Sequence, residues 1–316
     1  MIKNKIIIAI SLSITCLVII YSDAAEMQSW GYIPHYTSLT DKSISEAVNE
    51  YDIISASGFY ITPSGSILRE KTSYILSIIA ECRKKGRIFY PMITFKNPTA
   101  GIKLLSSEKA RINCAGSIKA LISKNQFEGI HLDLEYIPPR YVHALQLLLK
   151  EIKKRAGNKK ITFALYPQVD YNSPYRGFHD IPKISPYIDE AVVMCYDLHN
   201  RKTTPGPVTD LKWSEKNIAY LLKHLEPSRI WLGIPAYGYI WNNRISAKAV
   251  SAKHAAKLAE RFGSSRSASG TLYIRYKKNG LNEAYVSDRH TRKEMIKLSE
   301  RYRLAGWALW RVGFED

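Results

Sequence analysis

Three ionisable residues, His131, Asp133 and Glu135, alternate with Ile130, Leu132 and Leu134 inside the stretch Phe127-Glu128-Gly129-Ile130-His131-Leu132-Asp133-Leu134-Glu135-Tyr136. A period of two is the side-chain repeat of a β-strand, so the apolar set faces one way and the ionisable set the other. From Pro138 onward, Tyr141, Leu145, Leu148, Leu149 and Ile152 fall on one helical stripe that ends in the basic run 150–155. A strand passing straight into an amphipathic helix is half of a βαβ unit, and such strands lie in sheets covered by helices. A polar face on that strand therefore points into a barrel interior or an active site. Two carboxyls two residues apart on one face stand side by side, where like charge raises the pKa of one of them and keeps an acid protonated for use.

The elements that must position this strand alternate along the chain. Strands are predicted at 28–34, 51–59, 87–95, 127–136, 160–166, 190–196, 229–235 and 305–310, with helices over 68–85 and 107–123 and after Pro138. Eight strands with helices between them predict an α/β fold, a single closed (β/α)8 TIM barrel. The spacing breaks between the seventh and eighth strands. There a helix over 246–262, a hairpin over 271–286 turning near Asn279-Gly280, and a second helix over 289–303 predict an insertion.

The chain has 316 residues and a formal net charge of +18. Lys3 and Lys5, the apolar run from Ile6 to Ile20 and the small-x-small site Ser22-Asp23-Ala24 read as an export signal, so residues 1–24 are assigned to a signal peptide and 25–316 to one catalytic domain. The apolar run falls short of the ~20 residues that a membrane span requires, and no transmembrane segment is expected after cleavage. The predicted location is secreted, or periplasmic and bound to the cell envelope. A basic exterior suits anionic cell-envelope polymers as partners. Lys and Arg are spread along the chain without a nucleic-acid motif, which excludes nucleic acid as the target. Cys82, Cys114 and Cys195 remain after cleavage and are expected as buried free thiols. The other histidines, His35, His179 and His199 among them, lack metal-ligand spacing, so neither a metal nor a cofactor is expected. The chain is expected to be a monomer.

Barrel enzymes carry their chemistry at the carboxyl ends of the strands. At those ends stand Asp133 and Glu135, then Met194-Cys195-Tyr196-Asp197, then Tyr237-Gly238-Tyr239, and Trp310. Tyr32, Tyr60 and Tyr166 end other strands and join Tyr237 as cleft candidates. Carboxyls, tyrosines and a tryptophan at one rim suit a sugar: acids protonate glycosidic oxygens, phenols supply donors, and an indole face stacks on a pyranose.

The segment Glu128 to Glu135 resembles the strand-four signature of glycoside hydrolase family 18, the chitinase family, whose pattern is Asp-Gly-x-Asp-x-Asp-x-Glu. Met194-Cys195-Tyr196-Asp197, Leu232-Gly233-Ile234-Pro235-Ala236-Tyr237-Gly238 and Gly306-Trp307-Ala308-Leu309-Trp310 resemble its strand-six, strand-seven and strand-eight segments, and the style is that of the small bacterial spore-germination, cell-wall type. The resemblance spans roughly residues 28–316. It implies a retaining glycosidase of β-1,4-linked N-acetylglucosamine glycan, peptidoglycan or chitin, in which the sugar's own 2-acetamido group attacks and forms an oxazolinium ion. On that pattern Glu135 is the general acid, Asp133 supports the acetamido group, Tyr196 and Asp197 hydrogen-bond it, and Trp310 is the floor, with Met194, Tyr237, Tyr32 and Tyr166 lining the sugar site. The same fold serves as a non-catalytic lectin where the acid is lost, and Glu135 is present. Glu128 and His131 depart from the pattern, each standing where the family has Asp. His131 either pairs with Asp133 and holds it charged, which would alter the pH optimum, or is a satisfied interior histidine.

Overall fold

A computed structural model describes residues 27–37, 39–70, 73–243 and 246–316. The predicted signal peptide lies outside the described residues. The elements run β1 (Gln28–Ile33), α1 (Asp41–Glu50), β2 (Ile53–Ile61), β3 (Ile67–Arg69), α2 (Ser73–Lys84), β4 (Ile88–Phe95), α3 (Pro98–Leu105), α4 (Glu108–Asn125) and β5 (Gly129–Leu132). They continue with α5 (Val142–Ala156), β6 (Lys160–Leu165), α6 (Ile181–Ile184), β7 (Glu190–Met194), α7 (Leu211–Leu221), β8 (Ile230–Pro235), β9 (Tyr237–Asn242) and β10 (Ser246–Ser251). The chain closes with α8 (Ala252–Phe262), β11 (Ser265–Arg266), β12 (Leu272–Lys277), β13 (Leu281–Val286), α9 (Arg289–Arg301) and β14 (Gly306–Trp310). Side-chain caps start the helices: Thr40, Asn97, Ser107, Asp210, Ser251 and Asp288 each accept from a backbone N–H in the first turn.

Eight strands, β1, β2, β4, β5, β6, β7, β8 and β14, pair in parallel, and β1 bonds both β2 and β14, which closes the barrel. The predicted (β/α)8 barrel is thus the observed fold. Period two explains its layering. Ile130, Leu132 and Leu134 are fully buried in the apolar shell between barrel and helices, while Trp30, Tyr32, Tyr90, Met92, Val192 and Trp231 fill the barrel interior. Cys82, Cys114 and Cys195 are buried free thiols.

Three local expectations are corrected. The predicted strand 127–136 keeps its alternation, but its ladder ends at Leu132, and Tyr136 adopts a left-handed φ of 62° as the chain turns away. The start of the predicted helix 68–85 is instead β3, which pairs antiparallel with the end of β2. Residues 246–251, predicted as helix, form β10 against β9. The insertion is therefore a five-stranded antiparallel sheet, ordered β10-β9-β13-β12-β11, with α8 packed on one face. The second predicted helix, α9, belongs to the barrel and packs against β8 and β14.

Candidate active site

The ladder of β5 ends where the chemistry begins. The amide of Asp133 donates to the Ile93 carbonyl at 2.9 Å, the last tie to β4, and the side chains of Asp133 and Glu135 then point into the open end of the barrel, half-buried. The two carboxyls share a hydrogen bond, and Tyr166 donates a second one to Glu135. Burial raises Glu135 well above an ordinary carboxyl, and the Asp133 charge adds to it, while the Tyr166 bond works the other way. Burial also raises Asp133, partly offset by its bond to Glu135. Like charge is thus the second cause, and removal from water the first. Asp133 Oδ1 is buried and has no hydrogen-bond partner among the described residues.

His179 positions this pair, a role that its sequence context did not disclose. Its Nδ1 accepts from the Tyr166 amide at 3.0 Å, so the ring proton lies on Nε2, which donates to the Leu134 carbonyl at 2.9 Å. One buried imidazole thereby ties the backbone on either side of Glu135 and Tyr166 together. The Tyr166 ring stacks on it with centroids 4.4 Å apart, and Tyr166 Oη accepts from the Tyr136 amide at 3.0 Å. Burial lowers His179 to about 4, so it stays neutral.

Across the cleft, β7 gives way to an irregular turn in which Asp197 takes a φ of 58°. Tyr237 and Tyr239 both donate to its Oδ1, at 2.6 and 2.8 Å, and no hydrogen bond among the described residues falls on Oδ2. Burial raises the Asp197 pKa, and the two tyrosines oppose the rise. Tyr239 was not among the predicted site residues; it lies on β9, in the insertion sheet, and couples that sheet to the barrel. Tyr196 is raised far above its usual value by burial, next by Tyr32 and then by the carboxyls Asp133, Glu135 and Asp197, which places it among them. Met194 packs with Ala164 and Tyr166 beneath Tyr171. Trp310 ends β14 with its ring 5.6 Å from that of Tyr32, half-buried under the same opening. Tyr60 stands apart, hydrogen-bonded to His35 at 3.3 Å, and is not brought to the carboxyls.

His131 does not pair with Asp133. It is fully buried, with Nε2 2.9 Å from Tyr32 Oη and Nδ1 2.8 Å from Thr162 Oγ1, and burial lowers it to about 3. Both ring nitrogens lie against partners other than Asp133, and burial favours the neutral ring, which agrees with the reading of an interior histidine. Among the described residues no group of three or more His, Cys, Asp or Glu side chains could hold a metal ion.

Raised carboxyls keep a proton to higher pH than ordinary ones, so an acid-dependent rate is present below the raised pKa and lost as pH rises through it. Asp133→Asn removes the like charge beside Glu135 and lowers its pKa. The alkaline limb of kcat/KM will move to lower pH, while burial holds it above the ordinary carboxyl range. A limb that stays in place or moves up would contradict the pairing.

A closed parallel barrel with a proton-holding carboxyl pair and a clamped third carboxylate at its open end is the equipment of a glycoside hydrolase. The sequence profile of glycosyl hydrolases family 18 matches residues 97–315, and the chain belongs to that family. The chain is 23% identical to an uncharacterized glycosylase of Bacillus subtilis (strain 168), YvbX, over 99% of this chain and 96% of that protein. Its fold is shared with the spore cortex-lytic enzyme SleL of Bacillus megaterium QM B1551, at a TM-score of 0.80 and 20% identity, covering 91% of this chain and 71% of that one. The chitinase of Chromobacterium violaceum ATCC 12472 has a TM-score of 0.81 at 18% identity, covering 92% and 95%.

Proposed function

We propose that this glycosidase is exported and hydrolyses β-1,4-linked N-acetylglucosamine-containing glycan of the peptidoglycan or chitin type, with retention and through an oxazolinium intermediate. The observation that carries the reading is the unpartnered, buried Asp133 Oδ1 beside a Glu135 that holds its proton. An acceptor buried without a partner is costly, by about 1–3 kcal/mol, unless a ligand supplies the donor. A 2-acetamido N–H is such a donor, and accepting from it turns the acetamido oxygen toward the anomeric carbon. Glu135 then protonates the leaving oxygen and, once deprotonated, activates the water that opens the oxazolinium ring. In this reading Tyr196 and the free Oδ2 of Asp197 hold the acetamido group, Trp310 floors the sugar, and Tyr32, Tyr166, Met194 and Tyr237 line it. The relatives named as a cortex-lytic enzyme and a chitinase agree with a polymeric N-acetylated substrate. The test is product mass from purified peptidoglycan and from chitooligosaccharides, incubated in heavy-oxygen water. Label at the new reducing end together with initial retention of the β anomer supports the reading; initial release of the α anomer overturns it.

Residues 246–280 carry eight Lys and Arg against one acid, Glu260. Lys253, Lys257 and Arg261 recur every fourth residue along exposed α8, and Lys277 and Lys278 sit at the tip of the hairpin. Arg266, bound to Asp288, is the one member of the eight that is ion-paired among the described residues. This face fits an anionic envelope polymer. Replacing Lys253, Lys257 and Arg261 with Gln will weaken low-salt adsorption to intact walls several-fold, leave turnover of a soluble chitobioside unchanged, and flatten the salt dependence. Equal adsorption of variant and wild type would rule the face out.

A further inference from the structure

The barrel interior beneath the carboxyl pair contains a chain of hydrogen bonds whose direction turns on where Thr162 sends its one proton. Thr162 Oγ1 lies 3.0 Å from the Ile130 carbonyl, which can only accept, and 2.8 Å from His131 Nδ1; with its one proton on the carbonyl, Thr162 accepts from His131. His131 therefore carries its ring proton on Nδ1, and its Nε2 is bare. In this tautomer Tyr32, 2.9 Å from the bare nitrogen, donates to it. Every member of the chain is buried, and the edge of Trp30 closes over the imidazole with centroids 5.0 Å apart, so water does not compete for these bonds.

The phenol that ends the chain belongs to the open end of the barrel. Tyr32 lies beside the Trp310 floor and within the electrostatic reach of Asp133 and Tyr196. With its proton committed inward, its oxygen has lone pairs alone to offer on the cleft side. We propose that His131 is a positioning residue: it fixes the Tyr32 hydroxyl as an acceptor facing the reacting sugar, and it takes no part in the proton sharing between Asp133 and Glu135. The sugar group that meets Tyr32 is then an N–H or O–H donor, and a carbonyl there is disfavoured. A carboxyl at position 131 would do the opposite, since it could hold a proton of its own next to Asp133. The inference rests on reading Asp133 and Glu135 as the reacting pair.

The other titratable groups facing this end are Tyr136, Tyr166, Tyr171 and His179 around Glu135, Tyr196, Asp197 and Arg201 from the turn after β7, and Tyr237 and Tyr239 from the insertion side. The Glu135 charge and then burial push Tyr136 up, burial pushes the other tyrosines up and His179 down, and the carboxyls are left to set an alkaline limb.

Glutamine and glutamate are isosteric, and both place an acceptor oxygen near the position of the imidazole Nε2. In full-length protein, His131→Gln is expected to keep the wild-type alkaline limb of kcat/KM, and His131→Glu to move it to higher pH by about one unit, as a second buried carboxyl beside Asp133 would. His131→Leu releases the Tyr32 proton; kcat is expected to fall about ten-fold or more with little change in KM. Adding Tyr32→Phe to it should cost little further, because the two act as one unit. A shared limb for the Gln and Glu variants, or wild-type kcat in a folded Leu variant, overturns the proposal. Nitrogen-15 spectra of the wild-type imidazole provide a readout independent of catalysis and of variant folding: Nδ1 protonated and Nε2 bare, unchanged from about pH 5 to about pH 8. The opposite tautomer, or titration in that range, overturns it too. Should Glu135→Gln retain full activity, the catalytic reading falls while the tautomer measurement still judges the hydrogen-bond chain.

Discussion

Glu135→Gln will reduce hydrolysis of both a chromogenic chitobioside and purified peptidoglycan by about 10² to 10⁴-fold, the usual worth of a positioned general acid. In activation free energy that is about 3 to 5 kcal/mol. The substitution is nearly isosteric and leaves an oxygen that can still accept from Tyr166, so what it removes is the transferable proton. Stability separates this loss from misfolding. Because burial raises Glu135, ionising it inside the protein is unfavourable, and a neutral amide escapes that penalty. The sign is definite: a carboxyl with a raised folded pKa contributes its full stability below the unfolded value and loses it as pH rises through the folded one. The variant should therefore unfold at a urea midpoint no lower than that of the wild type at pH 7, and its advantage should vanish in acid. Equal turnover by the two proteins would end the assignment of Glu135 as the acid.

The second large effect is expected far from any proton. Gly238 lies in β9 between Tyr237 and Tyr239, and a Cβ there would stand 1.9 Å from the Tyr285 carbonyl oxygen and 2.6 Å from the Val286 Cα. Both are backbone atoms of the neighbouring strand, so no side chain can rotate away and the β9–β13 pairing must part. Gly238→Ala should destabilise by about 3 kcal/mol, at the upper end for overpacking. It should also lower kcat, because the two phenols that hold Asp197 are the residues on either side. Reading both urea midpoint and turnover is decisive: wild-type values for each would mean that β9 and β13 do not meet as closely as described.

Much of the barrel was legible because period two and period 3.6 are local signals, and eight strands with intervening helices admit few topologies. The carboxyl pair was legible for the same reason, since Ile130 to Glu135 displays its two faces in six residues. What escaped was set by distant partners. The stretch Ser246–Ser251, with Lys and Ala ahead of a true helix, reads as a helical start; it is a strand because β9 offers it a ladder, a tertiary choice that propensity cannot see. His179 looked like an idle histidine, and its role depends on Leu134 and on the Tyr166 amide, both remote in the chain. Tyr239 was read as a strand end, whereas its partner Asp197 comes from another turn. His131 was left between two roles because only Tyr32 and Thr162, on two other strands, decide whether its nitrogens are occupied.

Tyr32 and Trp310, ring against ring, come from the first and the last strand of the barrel. A polypeptide emerging in order from its N-terminus thus carries Glu135, Tyr166 and Asp197 with its two tyrosines long before Trp310 is in place. A chain halted before β14 lacks the strand that joins β1 to β8, and its barrel is not closed. Recovery of turnover during refolding would accordingly report the seating of the final strand rather than the formation of the rest of the barrel.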